Sequence, residues 1–427
     1  MRLLASLAAF VALALVACIS LRLGYADHLS HTGDPDALRR ARQLAPGKAT
    51  YLTDGVDSGD PGVLRKALAL NPYYARGWIE LGLQAELAGD NAEAERLLLQ
   101  AAKVDRTYEP RWALANFYYR RGDREALWRW SRNAAEIAYL DQTALFDLCW
   151  RMSPGPAEIL DKAIPQQPRV LAQYLSFLVN RKHLEAARPV AGLLTSKGGP
   201  ALAPLMLFYC DRLLQNGQAA EAVELWNTLC ARHIIKSQPL RPETGESLSN
   251  GDFFTAPLAA GFDWRPVRTG GATATVLQSP PELSVTFNGE EPEACRVFEQ
   301  VMPLVPARKY RLRYSFRTSG IASGSGLRWE IVPLSPWQGG WAPPAQRPCS
   351  ITSGNTVNRV LPERGGERCL AGSPDLWSED WTQGEFSFAT PDSIGAARLS
   401  LSYRRASGTT RIEGSIHLRA VSLSLEP

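Results

Sequence analysis

The local signatures of catalysis are missing from this 427-residue sequence. It has no HExxH helix, CxxC pair, Walker-type phosphate loop or GxSxG turn, so the motif-bearing zinc hydrolases, dithiol oxidoreductases, P-loop enzymes and α/β-hydrolases drop out. Histidine is sparse. His28, His31, His183, His233 and His417 are scattered, and although His28 and His31 stand about one helical turn apart, two ligands seldom suffice for a metal. The acidic run Glu290, Glu291 and Glu293 reads as solvated surface. No catalytic residue, metal or cofactor is expected. Charge of one sign is also lacking. The 47 basic and 43 acidic residues leave a net +4, too small and too evenly spread for a nucleic-acid partner. What is present is a globular composition, 45% hydrophobic and 21% charged, on a chain longer than one core usually supports. Two folded units and a targeting segment follow.

Leu3 to Leu21 is free of charge and flanked by Arg2 and Arg22. Such a run, at ~1.5 Å per residue, approaches the ~30 Å hydrocarbon core of a bilayer. No small-residue cleavage site precedes Arg22, so an uncleaved anchor over 1–23 is the preferred reading. Two alternatives stay open. Leu15-Val16-Ala17-Cys18 looks like a bacterial lipobox with Cys18 as lipidation candidate, and a simple cleaved signal peptide is the other. Each exports the rest of the chain, so the expected location is a bacterial envelope: a single-pass inner-membrane anchor with periplasmic or extracellular domains. The flanking charges are too few to fix orientation, and the cargo points outward. Cys349 and Cys369 flank a Gly/Pro/Arg-rich loop and are disulfide candidates, whereas Cys149, Cys210 and Cys230 fall in predicted helices, where a buried free thiol is common.

Residues 35–235 carry a weak internal repeat. Trp78 and Trp112 are 34 residues apart. Asn71-Pro72, Trp78, Leu81-Gly82, Ala85, Ala94, Leu98 and Ala101 alternate large and small residues as two locked antiparallel helices require, and ALALNP (Ala67 to Pro72) repeats the pattern's ending one period earlier. Turns at Ala88-Gly89-Asp90, Arg121-Gly122-Asp123 and Asn216-Gly217-Gln218 supply left-handed caps between helices. The pattern resembles the tetratricopeptide repeat, with degenerate units at Tyr174–Leu194 and Leu205–Cys230. That resemblance implies a TPR-like α-solenoid that binds a protein partner. Trp78, Trp112, Phe117, Tyr118, Trp128 and Trp130 are expected to pack between helices.

Composition changes after Lys236, and 236–245 reads as a linker. From 246 to 427 the period is two: Glu282–Phe287, Tyr310–Arg317, Leu327–Val332, Gly384–Phe388, Ala397–Tyr403 and Ser415–Leu425 are predicted strands. In one of them Tyr310, Leu312, Tyr314 and Phe316 face inward while Arg311, Arg313, Ser315 and Arg317 face water. Asn250-Gly251-Asp252-Phe253, Gly261-Phe262-Asp263-Trp264, the stretch Ala307 to Phe316 and the close Leu418 to Leu423 are similar to the galactose-binding-like jelly roll of carbohydrate-binding module families 4 and 9. The resemblance implies an antiparallel β-sandwich that binds a glycan. The acidic residue that precedes the last Val in that family, where it helps to hold structural calcium, is absent here. Sugar recognition needs flat rings and a few polar groups. Trp337, Trp341, Trp377 and Trp381, in and beside the long segment Pro333–Trp381, are the candidates, whereas Trp264 and Trp329 are expected in the core.

The sequence thus predicts a multidomain α + β chain: a membrane anchor, a TPR-like solenoid and a C-terminal jelly roll. The functional expectation is a non-catalytic, membrane-tethered scaffold whose helices hold a protein and whose sandwich binds a cell-surface or exopolysaccharide glycan. The alternatives are a protein-only scaffold and a divergent glycan-active enzyme with paired carboxylates ~5 to 10 Å apart.

Overall fold

A computed structural model of the chain describes residues 2–32, 34–53, 60–153, 155–334 and 369–426, with side chains from residue 10. It contains an α-solenoid of helix pairs and an antiparallel β-sandwich. The helices are α1 (Arg2–Ser30), α2 (Pro35–Leu44), α3 (Thr50–Thr53), α4 (Pro61–Leu70), α5 (Ala75–Leu87), α6 (Asn91–Val104), α7 (Tyr108–Arg121), α8 (Arg124–Ile137), α9 (Thr143–Met152) and α10 (Pro156–Glu158), which runs on as a π-helical turn Ile159–Ala163. Then come α11 (Pro168–Asn180), α12 (Leu184–Lys197), α13 (Ala203–Gln215) and α14 (Ala219–Ala231).

Repeat chemistry builds the pairs. Gly89, Gly122 and Gly217 sit at φ +85°, +70° and +77°, a conformation that glycine adopts without Cβ strain, and Asp90 and Asp123 cap the helices that follow. Between α11 and α12 the same turn is made by Lys182 at φ +63°, so its sequence carries no glycine signal. Gly82 packs against Leu98 and Ala94, the small-on-large contact that the repeat pattern demands. Phe117, Tyr118 and Trp128 are buried, whereas Trp78, Trp112 and Trp130 are half-buried. Glu86 on α5 and Arg120 on α7, one repeat apart, form a bidentate ion pair at 2.6 Å.

Among the described residues the sandwich has ten strands: β1 (Arg265–Pro266), β2 (Ala272–Gln278), β3 (Pro281–Asn288), β4 (Ala294–Pro303), β5 (Lys309–Ser319), β6 (Leu327–Pro333), β7 (Ala371–Gly372), β8 (Thr382–Ala389), β9 (Ala396–Arg404) and β10 (Glu413–Leu425). They form two five-stranded sheets, β1-β4-β9-β6-β7 and β2-β3-β10-β5-β8. From β4 to β6 and from β8 to β10 the chain alternates between sheets, as in a jelly roll. Between the sheets lies an apolar core in which Trp264 and Trp329 are fully buried. Their rings lie 6.0 Å apart, with Phe298 stacked on Trp264 at 5.1 Å.

The compact units do not divide where composition changes. One unit is Met1–Phe177 and the other is Leu178–Pro427, so α12 to α14 belong with the sandwich. Trp226 of α14 is buried edge-on against Phe262 at 5.8 Å. Gly261 fits beneath it, because a Cβ there would stand 2.6 Å from the indole. Asp211 of α13 accepts from Gly261 N at 2.8 Å and from Arg265 at 2.6 Å. The expected linker 236–245 is itself fixed: Asn227 exchanges two hydrogen bonds with the backbone of buried Leu240, at 2.7 and 2.9 Å, and Trp226 Nε1 donates to Gln238 O. Proline and glycine in this stretch shape a packed corner rather than a hinge.

Candidate functional site

The outward face of the β2-β3-β10-β5-β8 sheet collects the chemistry. Because β5 alternates, Tyr310, Leu312, Tyr314 and Phe316 enter the core, and Lys309, Arg311, Arg313, Ser315 and Arg317 point out. Register then sets neighbours. Arg317 lies opposite His417 on β10, and Arg419 lies opposite Ser315. Leu418 pairs with Leu283, which places Arg419 level with Glu282. The buried Glu282 carboxylate takes Arg419 on Oε2 at 2.6 and 2.9 Å and His417 Nδ1 on Oε1 at 3.0 Å. A carboxylate removed from water needs such charge-assisted partners. Further along the face, Arg311 pairs with Glu426 at 2.7 Å and Arg313 with Glu385 at 3.1 Å.

Over this face lies Trp381. Its ring is 4.2 Å from the Arg419 guanidinium and 5.4 Å from that of Arg317, a double cation–π arrangement worth of order 0.5–2 kcal/mol per contact. Both arginines rise from the sheet beneath it, and 36% of the residue remains exposed. The segment before it is pinned: Thr318 N and Oγ1 donate to Ser378 O at 2.6 and 3.0 Å, and Ser378 N donates back to Thr318 Oγ1 at 3.1 Å. Trp377, one residue earlier, is 52% exposed. Arg317 makes no hydrogen bond or ion pair among the described residues, and its Nε is buried without a partner. A half-exposed indole fixed over guanidinium groups offers a flat apolar surface beside donors, which is the composition a sugar ring and its hydroxyls require.

Of the expected glycan residues, Trp381 lies over this sheet face, Trp377 is exposed in the segment before it, and Trp337 and Trp341 lie outside the described residues. Glu282, Arg317, His417 and Arg419 were not anticipated. Only the water-facing alternation of β5 hinted at Arg317. Cys369 is disulfide-bonded, and its expected partner Cys349 lies outside the described residues. Cys18 is exposed on α1. Phe10–Ser30 is long and apolar enough to cross a membrane by length and composition. The acidic turn departs from expectation. Glu291 is wholly buried, with neither carboxylate oxygen hydrogen-bonded, because the turn folds down onto Gly271. On the closing strand, Ala420 sits at φ +53°, inside a bulge between Arg419 and Ser422. No group of three or more His, Cys, Asp or Glu able to hold a metal occurs among the described residues.

No protein-family description matches the chain, and no curated protein matches it. Among solved structures it is similar to one titled for the structure and function of a family 4 carbohydrate-binding module, at 12% identity over 42% of this chain and 100% of that one, TM-score 0.28. It is similar to pilF of Pseudomonas aeruginosa at 19% identity over 50% and 90%, TM-score 0.22. A family 6 module from Cellvibrio mixtus lichenase 5A, in complex with cellotriose, is similar at 8% identity over 38% and 92%, TM-score 0.21.

Proposed function

We propose that the chain is an exported, membrane-tethered, non-catalytic scaffold whose sandwich binds a cell-surface or exopolysaccharide glycan and whose helix pairs hold a protein partner. The observation that carries the reading is Trp381, held half-exposed over Arg317 and Arg419 on a polar sheet face. A pyranose stacks its C–H face on the exposed face of the indole, and Arg317, which makes no hydrogen bond or ion pair among the described residues, donates to its hydroxyls. On the helical side, the half-buried Trp78 and Trp112 recur one repeat apart, which suits repeated contacts along an extended partner. Tethering falls to α1.

A glycan array probed with full-length protein in detergent tests the glycan reading. Saturable binding to a polysaccharide, weakened tenfold or more (about 1.4 kcal/mol) by Trp381→Ala, supports it. Binding to no glycan, with a protein partner captured by the helices, favours the protein-only scaffold. Hydrolysis of a bound glycan would make the chain an enzyme instead.

A further inference from the structure

Helix α1 does not end as a free tether. Its last turns fold into the arm, with Ala26 and Leu29 buried against Leu38, Ala41, Ala45 and Tyr51. Asp27 pairs with Lys48 and accepts from the Tyr51 hydroxyl, and Arg22 Nε donates to Leu44 O at 2.6 Å. Helix α2 therefore runs back along α1. From Arg22 to Ser30 the helix rises roughly 12 Å, and α2 retraces about the same length before it ends at Leu44.

Arg22 is the first charge beyond the uncharged stretch Leu3 to Leu21, so it marks the level at which hydrocarbon gives way to headgroups. The bond from Arg22 to Leu44 brings the end of α2 to that level. The chain leaves α2 through Ala45-Pro46-Gly47-Lys48, with Pro46 and Gly47 exposed. Lipidation of Cys18 gives the same geometry, since Cys18 lies one helical turn before Arg22. Nearby, Arg40 is exposed and has no ion pair among the described residues, and a long arginine side chain reaches toward a charged interface.

We propose that the turn Ala45–Lys48 rests on phospholipid headgroups, so that the α1–α2 hairpin is a foot holding the first helical layer against the bilayer. Arg22 and Arg40 supply the cations that meet lipid phosphate. This rests on the reading that α1 is inserted in the membrane. The test places a fluorophore on Pro46→Cys or Arg106→Cys of the full chain, in vesicles of phosphatidylethanolamine and phosphatidylglycerol carrying a headgroup nitroxide. The unsubstituted protein serves as blank for Cys18, and flotation is scored in parallel. Quenching several times stronger at position 46 than at 106 is expected. Equal quenching at both positions in protein that floats overturns the foot and leaves anchoring intact. Protein that fails to float removes the anchor and the foot with it.

Discussion

Single side chains carry most of the testable content. Burial pushes the thiols of Cys149, Cys230 and Cys295 up to about 12 and that of Cys210 higher still, and the thiolate is the reactive species. At pH 8 these four groups stay protonated. Aqueous maleimide, followed by mass spectrometry, is expected to leave all four unlabelled in native protein and to label them after denaturation. Labelling of any of them in folded protein contradicts the packing. Glu291 presents the opposite case, a buried carboxylate with no partner. Replacing it with an apolar residue of similar size removes a buried polar group without hydrogen-bond partners, so Glu291→Met is predicted to stabilise by about 1–3 kcal/mol. A lowered midpoint in urea denaturation contradicts that. Glu282, equally buried, has Arg419 and His417 as partners, and its replacement is expected to destabilise.

At the scale of elements, legibility followed the exposure of one face. Strand β5 was readable because Tyr310, Leu312, Tyr314 and Phe316 alternate with polar residues. Strand β4 was not, because Cys295, Val297, Phe298, Val301 and Met302 are buried on both of its faces, so its pattern has no period of two. Strand β2, an edge strand of Ala and Thr, lacked the bulk that marks a strand. The platform was half legible. Trp377 and Trp381 stood out as loop tryptophans, but Glu282 and His417 are 135 residues apart, and only the registers of β3, β10 and β5 bring them together. The same limit hid the role of α14. Trp226 packs on Phe262 within the unit that holds the sandwich, so Trp226→Ala is predicted to cost about 3–5 kcal/mol. The cost should appear in the thermal unfolding of the sandwich, followed by near-ultraviolet circular dichroism. A helix-only loss with an unchanged sandwich transition contradicts the shared core.

For the whole molecule, composition suggested a cut at 236–245, whereas compactness places the division at Phe177 and Leu178. Limited proteolysis is accordingly expected to spare 236–249, and a fragment from 178 onward should stay soluble where one from 246 onward exposes Phe262 and aggregates. Export, tethering and glycan capture are claims about the intact chain and meet in one assay. Vesicles bearing the full-length protein are incubated with extracted envelope polysaccharide and floated, and the sugar carried upward is measured for wild type and for Trp381→Ala. Polysaccharide that rises with wild-type vesicles, and falls at least tenfold with the variant while the protein still floats, is the predicted result. Equal carriage by both proteins, or none by either, contradicts a glycan-binding scaffold built on Trp381.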